Sequence, residues 1–167
     1  MNQYLNSVLG PYEIYLLRVG ELTIQYSGFE HAINQSIWAL AGLGDRIGAC
    51  ITSEVVSIAP KFRILSALLH ELGHTDLVKA ASALSEQAIS VSQFRNKYVH
   101  SPIGLVIDEA GAMVPSVSHI KIEGKKLKQF PEGYDEEELN RTIDKCLELK
   151  RAAIDFRVLV FEKTGRK

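Results

Sequence analysis

From Pro11 to Leu40, apolar side chains return every three or four residues at Tyr15, Val19, Leu22, Tyr26, Phe29, Ile33, Ile37 and Leu40. That period predicts one long helix with a buried stripe over residues 11–41, opened by Pro11 and closed by Gly42. Gly42, Gly44 and Gly48 then predict a loop over 42–51. Thr52 and Ser53 offer N-caps for a second helix, 53–72, whose stripe is Val55, Ile58, Phe62, Leu65, Leu69 and Leu72, with a kink expected at Pro60. Thr75 or Asp76 caps a third helix, 76–100, carried by Leu77, Ala81, Leu84, Ala88 and Val91 and stopped by Pro102. Ile103 to Asp108 and Val117 to Glu123 are rich in β-branched residues and read as a hairpin between 103 and 124. Asp135 caps a last helix, 135–162, with Glu136, Glu137 and Glu138 against its positive end and a stripe of Leu139, Ile143, Leu147, Ile154, Val158 and Phe161. The pattern predicts an all-α fold: an up-and-down bundle of about four long helices with a β-hairpin insertion before the last, in a single domain over 1–167.

Composition narrows the class without naming a function. The chain has 167 residues, 46% hydrophobic and 23% charged, which is ordinary globular usage and argues against disorder, a fibrous repeat or a membrane span. A net charge of -1 argues against a nonspecific nucleic-acid coat, while leaving room for a local basic patch. Cys50 and Cys146 are too few for a disulfide framework, and Met1 to Gly10 lacks the blocks of a secretion signal, so a cytoplasmic protein is expected.

The chemistry concentrates where the third helix ends, in Phe94-Arg95-Asn96-Lys97-Tyr98-Val99-His100-Ser101-Pro102. Arg95 is the next position on the apolar stripe after Val91, and a guanidinium there is costly unless it is paired or meets a water-filled cleft. Asn96 and His100 are four apart and share a face, so the amide can hold one imidazole nitrogen and leave the other for proton transfer. Arg95 can reach an anion common to both. Glu30 lies beside the first stripe and is a candidate partner for Arg95. Lys97 adjoins the motif, and Lys121, Lys125 and Lys126 belong to the densest positive run in the chain, either a nucleic-acid contact or a solvated edge that discourages aggregation.

A second motif competes. His70-Glu71-Leu72-Gly73-His74 matches the H-E-x-x-H pattern in which two imidazoles one helical turn apart bind zinc and the Glu activates its water. Gly73 and the Thr75-Asp76 cap put a helix break inside it, however, and no third ligand stands at a good distance. The competing reading is a surface His pair at a turn; zinc hydrolysis is the remote alternative, and neither a metal nor a cofactor is expected.

Arg-Asn-x-x-x-His has a chance expectation of roughly one in 140 in a chain of this composition. On that motif the sequence resembles the HEPN family, small α-helical bundles that carry Arg-Asn and His at this spacing. Weaker points of likeness are Glu30 in the first helix, Lys61-Phe62-Arg63 at the start of the second, Ser101 after the motif, and the β-hairpin before the last helix. The resemblance implies Arg95 and His100 as the catalytic pair, Asn96 positioning them, and Glu30 and Ser101 in support. It also implies a metal-independent endoribonuclease acting as a homodimer on RNA, as a toxin or in antiviral defence, with an antitoxin as a candidate partner. Other family members are non-catalytic modules that partner nucleotidyltransferases, and that is the alternative.

Overall fold

The structure, a computed structural model, describes residues 10–101, 103–107, 109–111, 113–123, 126–133 and 135–166. The fold is an all-α bundle with an antiparallel β insertion before the last helix. In order come α1 (Pro11–Leu40), α2 (Asp45–Ser53), α3 (Ile58–Glu71), α4 (Thr75–Val99), β1 (Ile103–Ile107), β2 (Met113–Glu123), β3 (Lys126–Gly133) and α5 (Glu136–Thr164). Two compact units emerge: Met1–Thr23 with Gln93–Ile143, and Ile24–Ser92 with Asp144–Lys167.

The first unit packs the start of α1, the end of α4, the strands and the start of α5. Tyr15, Leu22, Tyr98, Val117, Leu139 and Ile143 are buried in it. Asp135 caps α5 as its sequence suggests, its Oδ1 accepting the Glu138 N–H at 2.9 Å. The insertion is larger than the expected hairpin, because β2 is central and pairs with β1 on one side and β3 on the other. Pro115, which falls between the two expected strands, lies inside β2 opposite Leu105. It is tolerated because pairing with β3 begins only at Ser116, so Pro115 has a neighbouring strand on one side.

The second unit buries the expected stripes of α1 and α4: Tyr26, Phe29, Ile33 and Ile37 on one, Leu77, Ala81, Leu84, Ala88 and Val91 on the other. Its expected loop is a helix. α2 forms over residues read as glycine-rich loop because Gly48 lets it close on Trp38: a Cβ at Gly48 would lie 2.3 Å from the indole Cγ. The indole Nε1 donates to Thr52 Oγ1 at 3.1 Å, and Thr52 donates to the Gly48 carbonyl at 3.0 Å. Thr52 and Ser53 therefore finish α2 instead of capping the next helix. Pro60 makes no kink; it is the third residue of α3, where its missing N–H would have had no intrahelical partner.

α5 buries the first part of its expected stripe, Leu139 and Ile143, and from Cys146 onward a different row. Cys146, Leu149, Ala153, Phe156 and Val160 face the core, whereas Val158 is 46% exposed. Two apolar rows at helical spacing coexist on this helix, and the row containing the smaller Cys146 and Ala153 is the one that is buried.

Candidate functional site

The last turn of α4 is anchored from inside by Tyr98, which is 1% exposed. Its ring stacks on Phe94 at 4.6 Å between centroids and lies 6.3 Å from that of Tyr15. Tyr15 Oη donates to the Tyr98 carbonyl at 3.3 Å, and Tyr98 Oη donates to Glu138 Oε2 at 3.3 Å. Burial pushes the Tyr15 phenol up to about 12, and burial with the neighbouring Glu138 carboxylate raises that of Tyr98. Both phenols stay protonated near neutrality and serve as hydrogen-bond donors. Tyr98 is thus a positioning residue.

On the outer side of that turn the three motif residues meet. Arg95, half-buried, donates from Nη1 to Asn96 Oδ1 at 2.8 Å. The same Nη1 stands 3.5 Å from His100 Nε2, at the outer limit of a hydrogen bond. The His100 N–H donates to the Asn96 carbonyl at 3.2 Å, which continues the helical ladder one residue past α4 and fixes the backbone beneath the imidazole. Asn96 and His100 are exposed. The expected pairing of the Asn96 amide with the imidazole is replaced by one in which the amide holds the guanidinium. The reason is reach: Arg95 extends across both neighbours, whereas the short Asn96 side chain is already engaged through Oδ1.

The supporting residues divide. Ser101 follows the site, half-buried, and Lys97 Nζ lies 3.8 Å from Glu138 Oε2 and 5.5 Å from the Tyr98 ring centroid. Lys97 is therefore partly engaged in holding the helix end. Lys121 and Lys126 are positions in β2 and β3, where Lys121 pairs with Lys128 and Glu123 with Lys126. Their side chains, Lys125 and Pro102 lie outside the described residues.

Glu30 has a cation other than the expected Arg95. Lys61 Nζ donates to Glu30 Oε1 at 2.7 Å, and the Lys61 side chain is only 5% exposed. Sequence reading noted Lys61 without giving it a partner. The available signal was its place on the apolar row between Ile58 and Leu65, where a buried ammonium demands a carboxylate.

The His70-Glu71-Leu72-Gly73-His74 run is a helix end. α3 stops at Glu71, Gly73 turns with φ +74°, and the His74 and Gly73 N–H groups cap the carbonyls of Leu69 and His70 at 2.8 and 3.1 Å. His70 and His74 are consequently separated by a chain reversal and do not share a helix face. Among the described residues no three His, Cys, Asp or Glu side chains gather as a metal site, and no helix is long and apolar enough to cross a membrane.

No family model matches the chain, and no curated protein or solved structure is found similar to it.

Proposed function

We propose that the chain is a metal-independent endoribonuclease of HEPN type, working as a homodimer in which two copies of the Arg95–Asn96–His100 site act on one phosphate. The observation that carries the reading is the convergence of Arg95 Nη1 on Asn96 Oδ1 at 2.8 Å and on His100 Nε2 at 3.5 Å, on an exposed helix end. A guanidinium beside an imidazole supplies the two things that transfer within RNA needs. The imidazole takes the proton of the 2′-hydroxyl as the 2′-oxygen attacks the neighbouring phosphorus, and Arg95 stabilises the extra negative charge of the pentacoordinate state. The 5′-oxygen then leaves with a proton from a second imidazole, giving a 2′,3′-cyclic phosphate and a 5′-hydroxyl end. One chain carries one such imidazole at the site, so the acid and the base come from His100 of two subunits.

The test is cleavage of single-stranded RNA in the presence of a chelator, with the ends identified. Cyclic phosphate products that disappear in His100→Ala and in Arg95→Ala are expected. Intact RNA at every protein concentration would sink the nuclease reading and leave the interaction module. Mixing excess His100→Ala chain with wild type is expected to pull activity below simple dilution. Activity proportional to the wild-type fraction would remove the two-imidazole mechanism. The toxin or defence role, the RNA sequence cut and an antitoxin partner belong to the same proposal. Growth arrest on expression of the wild-type chain, absent with His100→Ala, is its cellular test.

A further inference from the structure

A cavity of about 530 Å³ opens in the second unit, between α1, α2 and the start of α3. Ser27, Glu30, His31, Asn34 and Trp38 line it, and these α1 positions recur at helical spacing beside the buried row of Tyr26, Phe29, Ile33 and Ile37. Across from them stands Lys61, with its side chain 5% exposed and its ammonium on Glu30 at 2.7 Å. Within this wall one polar group is unmatched: Asn34 Oδ1 is shielded from solvent and has no hydrogen-bond partner. A half-turn of the amide, which leaves its shape unchanged, moves that oxygen to the opposite side, so Asn34 is able to present either a donor or an acceptor to an occupant.

The charges decide what kind of occupant fits. Lys61 and Glu30 neutralise each other; an added anion would face the Glu30 carboxylate, which is 25% exposed, and an added cation the nearly buried Lys61 ammonium. A neutral molecule meets neither penalty. The hydroxyls of Ser27 and Ser53, the adaptable Asn34 amide and the Glu30 oxygen not bonded to Lys61 suit groups that donate and accept at once. Val55 and Val56 add an apolar side, and the volume lies in the usual range of small-molecule sites. We propose that this cavity binds an uncharged polyol of monosaccharide size, its hydroxyls on Glu30 and Asn34 and its C–H face toward Val55 and Val56. The proposal is independent of RNA cleavage and stands or falls by itself.

Trp38 is the one tryptophan of the chain and lines the cavity, so its fluorescence reports occupancy directly. D-glucose, D-ribose and myo-inositol are each titrated to about 100 mM, with inorganic phosphate and arginine as charged comparators. A saturable change with at least one polyol and none with phosphate or arginine is expected. Asn34→Ala should weaken it about tenfold, the loss of one good hydrogen bond in the site. Ser53→Ala, on an exposed residue, keeps the test available if Asn34→Ala folds poorly, with a weakening of roughly threefold expected. No saturable response to any of the three polyols overturns the proposal. So does an equal response to phosphate or arginine, or a polyol response unchanged in both variants.

Discussion

Two basic side chains, Arg95 in the first unit and Lys61 in the second, show how burial alone changes what a charged group can do. Lys61 is buried and bonded to Glu30 at 2.7 Å, so its charge is committed to holding α1 and α3 of one core in register. Arg95 sits on a helix end whose neighbours Asn96 and His100 are exposed, and its contacts with them are bonds that an incoming phosphate can replace. The same chemistry of cation and acceptor is structural where water is excluded and available where it is not. Breaking the buried pair should cost stability, while breaking the exposed network should cost activity.

The sharpest break in that comparison is Glu30→Ala, which strands the Lys61 ammonium in the core. A loss of about 3 to 5 kcal/mol is expected in denaturant unfolding. Replacing both residues together, as Glu30→Leu with Lys61→Met, should recover much of it. A Glu30→Ala chain as stable as wild type would show that Lys61 reaches solvent. Next comes His100→Ala, expected to lower RNA cleavage about 10²- to 10⁴-fold, the usual worth of a general acid or base, with stability changed by no more than about 0.5 kcal/mol. A large fall in melting temperature would place His100 with Lys61 among the structural groups.

Tyr98→Phe is a smaller, intermediate case. It removes the bond to Glu138 but keeps the stacked ring, so a loss of about 0.5 to 1.5 kcal/mol is expected, with cleavage following the folded fraction. The raised phenols of Tyr15 and Tyr98 give a pH signature of the same packing. Both bind their protons more tightly in the folded state, so their contribution is full below the ordinary phenol value of 10.0 and is lost as pH rises through about 12 for Tyr15 and through the raised folded value of Tyr98. Ultraviolet titration should show Tyr15 and Tyr98 ionising well above the ordinary phenol value; ionisation of both near 10.0 would contradict the packing.

The smallest effect belongs to Asp76, whose carboxylate bonds Lys163 at 2.7 Å on the surface. That hydrogen bond holds its carboxyl below the ordinary value of 3.8, so any stabilisation is present above 3.8 and disappears as pH falls through the lowered folded value. The difference in melting temperature between wild type and Asp76→Asn should be slight at neutral pH and vanish in acid. A difference that grows in acid would mean the pair is not what Asp76 contributes.

The stripes of α1 and α4 were legible because each recurs at helical spacing along most of its helix, while off-stripe apolar residues such as Leu16, Leu17 and Ile24 of α1 form no comparable row and stay exposed. The motif was legible because Arg95, Asn96 and His100 fall within six residues on one helix end, where local geometry alone brings them near. α2 was hidden because its glycines signal a loop locally, and only the approach of Gly48 to Trp38 turns that signal into a helix contact. The face of α5 was ambiguous because two apolar rows compete on it, so packing had to choose.

By itself, then, the sequence determined the helical class, the long elements, the break inside His70-Glu71-Leu72-Gly73-His74 and the position of the Arg95 motif, all consequences of local period and local backbone preference. Tertiary structure alone decided that Glu30 belongs to Lys61, that β2 has two neighbouring strands and that Asn34 lines a cavity beside Trp38. The physical reason is range: hydrophobic period and capping act within a few residues, whereas the partner of a buried charge or amide is chosen by whatever the fold brings within about 3 Å of it.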